Sequence, residues 1–69
     1  IPIRHGEYSD RVVLWQKFLN WAGCDCGQVD GQYGDMTLEA TTLFQKNNGL
    51  VVDGEIGTKT IAKAKEIKK

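Results

Sequence analysis

The sequence predicts an all-α fold for this chain of 69 residues, a compact three-helix bundle. Two observations support this prediction. Three stretches place apolar side chains at the spacing of an α-helix. A nine-residue motif that begins with Val-Asp-Gly also occurs twice, at residues 29–37 and 52–60, each time where one of the two later helices is predicted to begin.

Each copy of the motif is interpreted as an Asp-Gly-x-x-Gly loop that leads into a helix. In an Asp-Gly pair the glycine takes positive φ, and the second glycine lets the backbone open the next element. Asp30 and Asp53 can accept hydrogen bonds from amides freed at the turn, so we expect them to be structural acceptors. Gly34 and Gly57 are predicted to be required by backbone geometry.

The helices are predicted near residues 9–22, 35–47 and 58–67. Ser9 is a good N-cap for the first helix, and Gly23 ends it. A core is expected to form where the three apolar stripes meet. Its predicted members are Val12, Trp15, Leu19, Ala40, Phe44, Leu50, Ile56, Ile61 and Ala64.

The segment before the first helix contains the only proline and is predicted to be extended. We assign residues 1–8 to a flexible lead-in, which includes the lone His5, and residues 9–69 to the domain. The chain begins at Ile1 rather than Met, which suggests a module cut from a longer protein.

The two cysteines, Cys24 and Cys26, are separated by one residue. Zinc-binding pairs prefer two to four intervening residues and need further ligands. A disulfide between the two cysteines would close a strained ring. We therefore expect free thiols in a surface loop and no metal site.

Several function classes are disfavoured by composition and motif content. Nine basic and nine acidic side chains cancel, so no net charge attracts nucleic acid. No apolar run reaches the length of a membrane span, and no signal-peptide pattern occurs. The common hydrolase and phosphate-binding motifs are missing as well. We expect no nucleic-acid or membrane partner, no catalytic residue and no cofactor.

A second repeat links the first two helices. Gln16 follows Trp15, and Gln45 follows Phe44, with a lysine next in both cases. Since both aromatic residues are predicted to face the core, each glutamine lies at the edge of the core. We expect its amide to bond a loop carbonyl or amide rather than a ligand.

An ordered set of residues extends over nearly the whole chain. In order, the set is Val12-x-x-Trp15-Gln16-x-x-Leu19, Gly23, Asp30-Gly31-x-Tyr33-Gly34-x-x-Thr37-x-x-Ala40-x-x-x-Phe44-Gln45, Gly49-Leu50 and Asp53-Gly54-x-Ile56-Gly57-x-x-Thr60. This set resembles the peptidoglycan-binding module found beside cell-wall hydrolases. Two features depart from the family: Trp15 stands where a leucine is usual, and the Cys-Asp-Cys loop is unusual.

The resemblance implies a monomeric, non-catalytic domain that binds peptidoglycan and anchors an attached hydrolase to it. That neighbour would be an amidase, muramidase or peptidase, acting at the cell wall in bacteria or as part of a phage lysin. An alternative of another class is an interaction domain that packs against its own catalytic domain. The apolar face of the first helix, with Leu14, Phe18 and Trp21, motivates this alternative.

The predicted ligand site consists of Trp21, Gln32 and Tyr33, at the end of the bundle where the first helix stops and the second begins. A wall fragment offers sugar faces, hydroxyls and amides, so its receptor needs an aromatic surface beside hydrogen-bonding groups. The repeat also offers a structural interpretation of two of these residues. Ile56 at the position of Tyr33 suggests a buried plug, and Glu55 at the position of Gln32 suggests simple exposure.

A rival site is predicted in a groove near Asn47 and Asn48, where the second helix ends, at the opposite end of the bundle.

Overall fold

The computed structural model describes residues 2–68 and confirms an all-α fold. Its three helices are α1 (Asp10–Trp21), α2 (Asp35–Asn47) and α3 (Thr58–Ile67). Between residues 2 and 68 the only β-type pairings are two isolated bridges. None of the helices in this range is long and apolar enough to cross a bilayer.

α1 and α2 run in the same general direction. The backbone amide of Ser9, just before α1, donates to the carbonyl of Gly31, just before α2 (3.0 Å). Further along, the rings of Phe18 and Phe44 meet edge to face, with centroids 5.3 Å apart. The sequence suggested that the end of α1 lies beside the start of α2. The structure contradicts this, because the segment between the two helices returns along the bundle.

Most of the predicted core is buried. Val12, Trp15, Leu19, Ala40, Phe44, Ile56 and Ala64 are all buried, and Leu50 packs against them while half-buried. The indole of Trp15 is accommodated by Thr41, whose Oγ1 accepts a hydrogen bond from Nε1 (3.0 Å). Ile61 is a correction to the prediction, since it is 37% exposed and lies at the border of a groove.

The segment before α1 is extended, but it packs into the domain rather than leading up to it. Ile3 is buried and pairs with Ile56 through two backbone hydrogen bonds of 2.9 and 3.1 Å. The amide of Tyr33 donates to the carbonyl of Glu7 (2.8 Å). His5 contacts the carboxylate of Asp35 at 3.1 Å. Residues 2–8 thus connect the two loops, contrary to the expectation of a flexible lead-in.

The two cysteines are free, but they are buried and not part of a surface loop. The amide of Asn20 holds their loop against α1: Oδ1 accepts from the backbone N–H of Cys26 (2.8 Å), and Nδ2 donates to the carbonyl of Gly27 (3.1 Å). Burial raises the pKa of both Cys24 and Cys26. Within residues 2–68 there is no group of three or more side chains that could hold a metal ion.

Candidate functional site

The first Asp-Gly loop is held by Gln16, a buried glutamine of α1. Its Oε1 accepts hydrogen bonds from the amides of Asp30 (3.0 Å) and Gly31 (2.9 Å). Its Nε2 lies within 3.1 Å of the Gln32 carbonyl and 3.0 Å of Thr37 Oγ1. One side chain therefore connects α1, the loop and the first turn of α2.

The second loop repeats this arrangement with Gln45 of α2. Oε1 accepts from the amide of Gly54 (3.0 Å), and Nε2 lies 3.0 Å from the Glu55 carbonyl and 3.3 Å from Thr60 Oγ1. We call each set of contacts a glutamine clamp. The contacts confirm the prediction that each glutamine side chain forms hydrogen bonds with the adjacent loop. The polar groups of the repeated motif are therefore engaged in bonds within the fold.

The two aspartates are structural acceptors, as predicted. Asp30 Oδ1 accepts from the Gln32 amide (2.9 Å), and Asp53 Oδ1 accepts from the Glu55 amide (2.9 Å). Each carboxylate also accepts from the glutamine of its own clamp at 3.1 Å. Two hydrogen bonds lower the pKa of the Asp30 carboxyl: the larger effect comes from the backbone amide of Gln32, and the smaller from the side chain of Gln16.

The positive φ predicted for the glycine of each Asp-Gly pair is confirmed, whereas the expected need for glycine at the second glycine of each loop is wrong. Gly31 and Gly54 have φ of +78° and +73°, in the left-handed region that other residues avoid. Gly34 and Gly57 have φ of −98° and −100°, which any residue can adopt. A Cβ at Gly34 would meet no atom within 4 Å, and at Gly57 the nearest is a Pro2 carbon at 3.9 Å.

Tyr33, one of the three predicted ligand residues, lies inside the protein. It is only 1% exposed, and its hydroxyl donates to the carbonyl of Gly54 in the second loop. Ile56, its counterpart in the repeat, is equally buried. The side chain therefore connects the two loops, and burial raises the pKa of Tyr33.

Trp21 is exposed on the last turn of α1, at 55% of its full surface. It borders a cleft of about 330 Å³. We call it the Trp21 cleft; its lining residues are Trp21, Ala22, Cys24, Phe44, Asn47, Asn48 and Ile67. The predicted aromatic residue and the rival asparagines thus lie in one site, because α1 and α2 end side by side.

Gln32 lies elsewhere. It is exposed beside a smaller cleft of 260 Å³ at the start of α2, together with Gln28, Asp35 and Met36. None of the residues that line this cleft lines the Trp21 cleft. The structure therefore does not bring the three predicted ligand residues together.

The Trp21 cleft combines an aromatic surface with amide groups. Asn47 is exposed, and Asn48 is half-buried and fixed by a hydrogen bond from its Nδ2 to the carbonyl of Phe44 (2.8 Å). The ammonium group of Lys68 lies 5.0 Å from the centre of the Trp21 ring. No carboxylate lines this cleft within the described residues. Such a site is suited to stacking and hydrogen bonding rather than to acid–base chemistry.

Comparison with known proteins defines the class. Residues 8–63 match the family described as "Putative peptidoglycan binding domain". This range covers most of the chain, so the chain belongs to that family and is a peptidoglycan-binding domain.

Several relatives with curated descriptions are spore cortex-lytic enzymes. The chain is 40% identical over 58 residues to that of Bacillus cereus, which covers 84% of this chain and 22% of the relative. It is 42% identical over 59 residues to that of Bacillus subtilis (strain 168), covering 84% and 19%. The chain thus spans about a fifth of the length of these relatives.

Two solved structures share the fold. The crystal structure of the SleB N-terminal domain superposes with a TM-score of 0.95 at 35% identity, covering 100% of this chain and 94% of the other. A peptidoglycan-binding protein from Clostridioides difficile, in complex with glutamine hydroxamate, superposes with a TM-score of 0.87 at 34% identity, covering 93% and 40%. These matches confirm the predicted fold and the family resemblance.

Proposed function

We propose that the chain is the wall-anchoring module of a longer wall-lytic enzyme and that its Trp21 cleft contacts the glycan of peptidoglycan. The family and the spore cortex-lytic relatives support a bacterial enzyme that acts at the cell wall. They favour this over a phage lysin. The attached catalytic region would supply an amidase, muramidase or peptidase activity, while this domain holds that region near its substrate.

The observation that supports this site best is the exposed indole of Trp21 beside Asn47 and Asn48. The apolar face of a sugar ring packs well on an indole, and side-chain amides can bond the hydroxyl and acetamido groups at its edge. Because α1 and α2 both have buried faces below the cleft, these groups are held on rigid elements. Little conformational entropy is then lost when a ligand binds.

Wall binding by Trp21 can be measured by cosedimentation of the purified domain with peptidoglycan sacculi. Truncating an aromatic anchor typically costs more than about 1–2 kcal/mol, so Trp21→Ala is expected to weaken binding by roughly five- to thirtyfold. The matched control is Tyr8→Ala, which removes another exposed aromatic side chain outside the cleft. If Trp21→Ala bound as tightly as Tyr8→Ala, the Trp21 cleft would not be the site.

Replacing Lys68 distinguishes binding to the glycan from binding to the stem peptide. Its ammonium group lies over the Trp21 ring, a contact worth about 0.5–1 kcal/mol at an exposed site. A sugar that stacks on this face displaces the ammonium group, so Lys68→Ala is expected to leave wall binding unchanged or slightly stronger. If the ligand were a stem-peptide carboxylate held by Lys68, the same variant would lose binding.

A further inference from the structure

A second groove, mostly apolar, lies between α1 and α3 and is distinct from the Trp21 cleft. It has a volume of 410 Å³. The α1 wall consists of Arg11, Leu14, Trp15 and Phe18. These positions follow the i, i+3, i+4, i+7 spacing of one helical stripe. We call this space the α1–α3 groove.

The α3 wall has the same spacing. It consists of Ile61, Ala64 and Lys65 of α3 and of Lys68, which directly follows the helix. Seven residues along a helix rise about 10 Å, so each wall is two turns long. Side chains at this spacing on both walls match the apolar face of a third helix, as in helix-in-groove recognition.

The groove exposes apolar surface that neither the core nor the wall site uses. Leu14 is 67% exposed, although it lies next to the buried Trp15, and Ile61 is exposed on the opposite wall. Burial of such side chains in a complex would be favourable at about 25 cal/mol per Å² of apolar surface. The sugars of peptidoglycan, which present hydroxyl groups on most sides, do not match this lining.

The charges at the rim indicate what kind of partner fits. Lys65 and Lys68 form no ion pair with any of the described residues, although the Lys68 ammonium group also contacts the Trp21 ring. No carboxylate of the described chain lines the groove. The third cation, Arg11, pairs with Glu7. The unbalanced charge of the rim therefore comes from the two lysines, and it is positive.

We propose that the α1–α3 groove binds an amphipathic helix of a partner protein, with apolar residues facing Leu14 and Ile61 and carboxylates facing Lys65 and Lys68. The inference goes beyond wall binding and does not depend on it. A symmetric dimer through the same groove is disfavoured, because it would bring the lysines of both copies together.

The proposal can be tested by selecting peptides that bind the α1–α3 groove and comparing their sequences with the expected pattern. A displayed library of 14-residue peptides is randomised among Leu, Ile, Phe, Ala, Gln, Glu and Lys, selected on the wild-type domain and depleted on Leu14→Glu. Since Leu14 is largely exposed, this variant is expected to fold, which circular dichroism can verify. The enriched peptides should carry apolar residues at i, i+3, i+4 and i+7 and more Glu than Lys.

Synthetic versions of the enriched peptides then give affinities. Binding is expected to fall more than tenfold with Leu14→Glu and roughly three- to fivefold with Lys65→Glu, the range of an exposed ion pair. The matched control Lys17→Glu, an exposed lysine of α1 outside the groove, should change nothing. Replacing the peptide's Glu with Lys should restore binding to Lys65→Glu.

Other outcomes would overturn the proposal. These are an absence of peptides whose binding needs Leu14, an enrichment of Lys over Glu, Leu14-dependent dimerisation in sedimentation equilibrium, and Leu14-dependent binding to phosphatidylglycerol vesicles. Cosedimentation with sacculi separates this inference from the proposed function. Leu14→Glu should bind sacculi as the wild type does, and a loss would show that the groove itself is the wall site.

Discussion

Replacing Gln16 with Met tests whether the glutamine clamp holds the first loop and α2 in place. Methionine is similar in length and keeps the apolar contacts, but it cannot bond the loop. The amides of Asp30 and Gly31 would lose their acceptor, and the Gln32 carbonyl and Thr37 would lose their donor. Of the two amides, that of Gly31 is buried, so water cannot replace the lost bond.

The expected cost follows from these contacts. A buried donor left without a partner costs about 1–3 kcal/mol, and the other lost bonds add about 1 kcal/mol net. The sum, about 2–4 kcal/mol, is a large part of the ~3–10 kcal/mol expected for a domain of this length. At about 4–8 °C per kcal/mol for a small domain, Gln16→Met should lower Tm by at least ~8 °C.

Thermal and urea unfolding followed by circular dichroism measure this effect. The matched control is Gln28→Met, since Gln28 is an exposed glutamine outside both clamps. Gln45→Met, which breaks the equivalent clamp, should cost a similar amount, because Gln45 also accepts from a buried glycine amide and makes the same donor contacts, although it accepts from one amide fewer. A Gln16→Met protein that melted within about 2 °C of the Gln28→Met protein would refute the clamp as a main source of stability.

Two further predictions concern backbone geometry and pH. Gly31→Ala should cost at least about 1–2 kcal/mol in urea unfolding because of its positive φ, and Gly34→Ala should be neutral; equal costs would contradict the assignment. Hydrogen bonding from Arg11 lowers the pKa of Glu7 from 4.5 to about 2, so Glu7 stabilises the fold fully above pH 4.5 and progressively less towards pH 2. The stability difference between wild type and Glu7→Gln should shrink over that range, and a constant difference would argue against the ion pair.

The repeated loops could be predicted from sequence because their chemistry is local. An Asp-Gly pair specifies its own turn, and a glutamine after a core aromatic residue has few partners other than the adjacent loop. Within this motif the predicted positive φ of the Asp-Gly glycine is confirmed, but the expected need for glycine at Gly34 and Gly57 is wrong. Positive φ belongs to Gly31, whereas Gly34 only precedes α2 with extended backbone.

The ligand site could not be predicted in the same way, because it depends on the relative direction of two helices. The segment between Trp21 and Asp35 has 13 residues. At about 3.3 Å per residue, such a segment can either turn sharply or return along the bundle. A usable signal was nevertheless present, since Trp21 follows Phe18 by three residues and Asn47 follows Phe44 by three. Contact between the two phenylalanines places their successors side by side.

Burial of Ile3 and Cys26 was missed for a related reason. A small domain buries a smaller share of its surface than a large one, and this chain uses the segment before α1 and the loop after it as additional cover for the core. The bonds that hold these pieces are backbone pairings and one asparagine amide, and none of them has a periodic pattern. Ile61 shows the opposite effect, because the described residues leave its side of α3 partly exposed.

The duplication also indicates where binding specificity can reside. The Gln, Asp, Gly and Thr side chains and backbone groups shared by both halves are engaged in the two clamps, so they specify the fold and leave little for a ligand. Recognition must then depend on positions where the halves differ. Trp21 is such a position. When Gln16 is aligned with Gln45, Trp21 is aligned with Leu50, and Trp21 is exposed whereas Leu50 is half-buried. A relative with the same clamps but another residue at this position would keep the fold and bind its ligand differently.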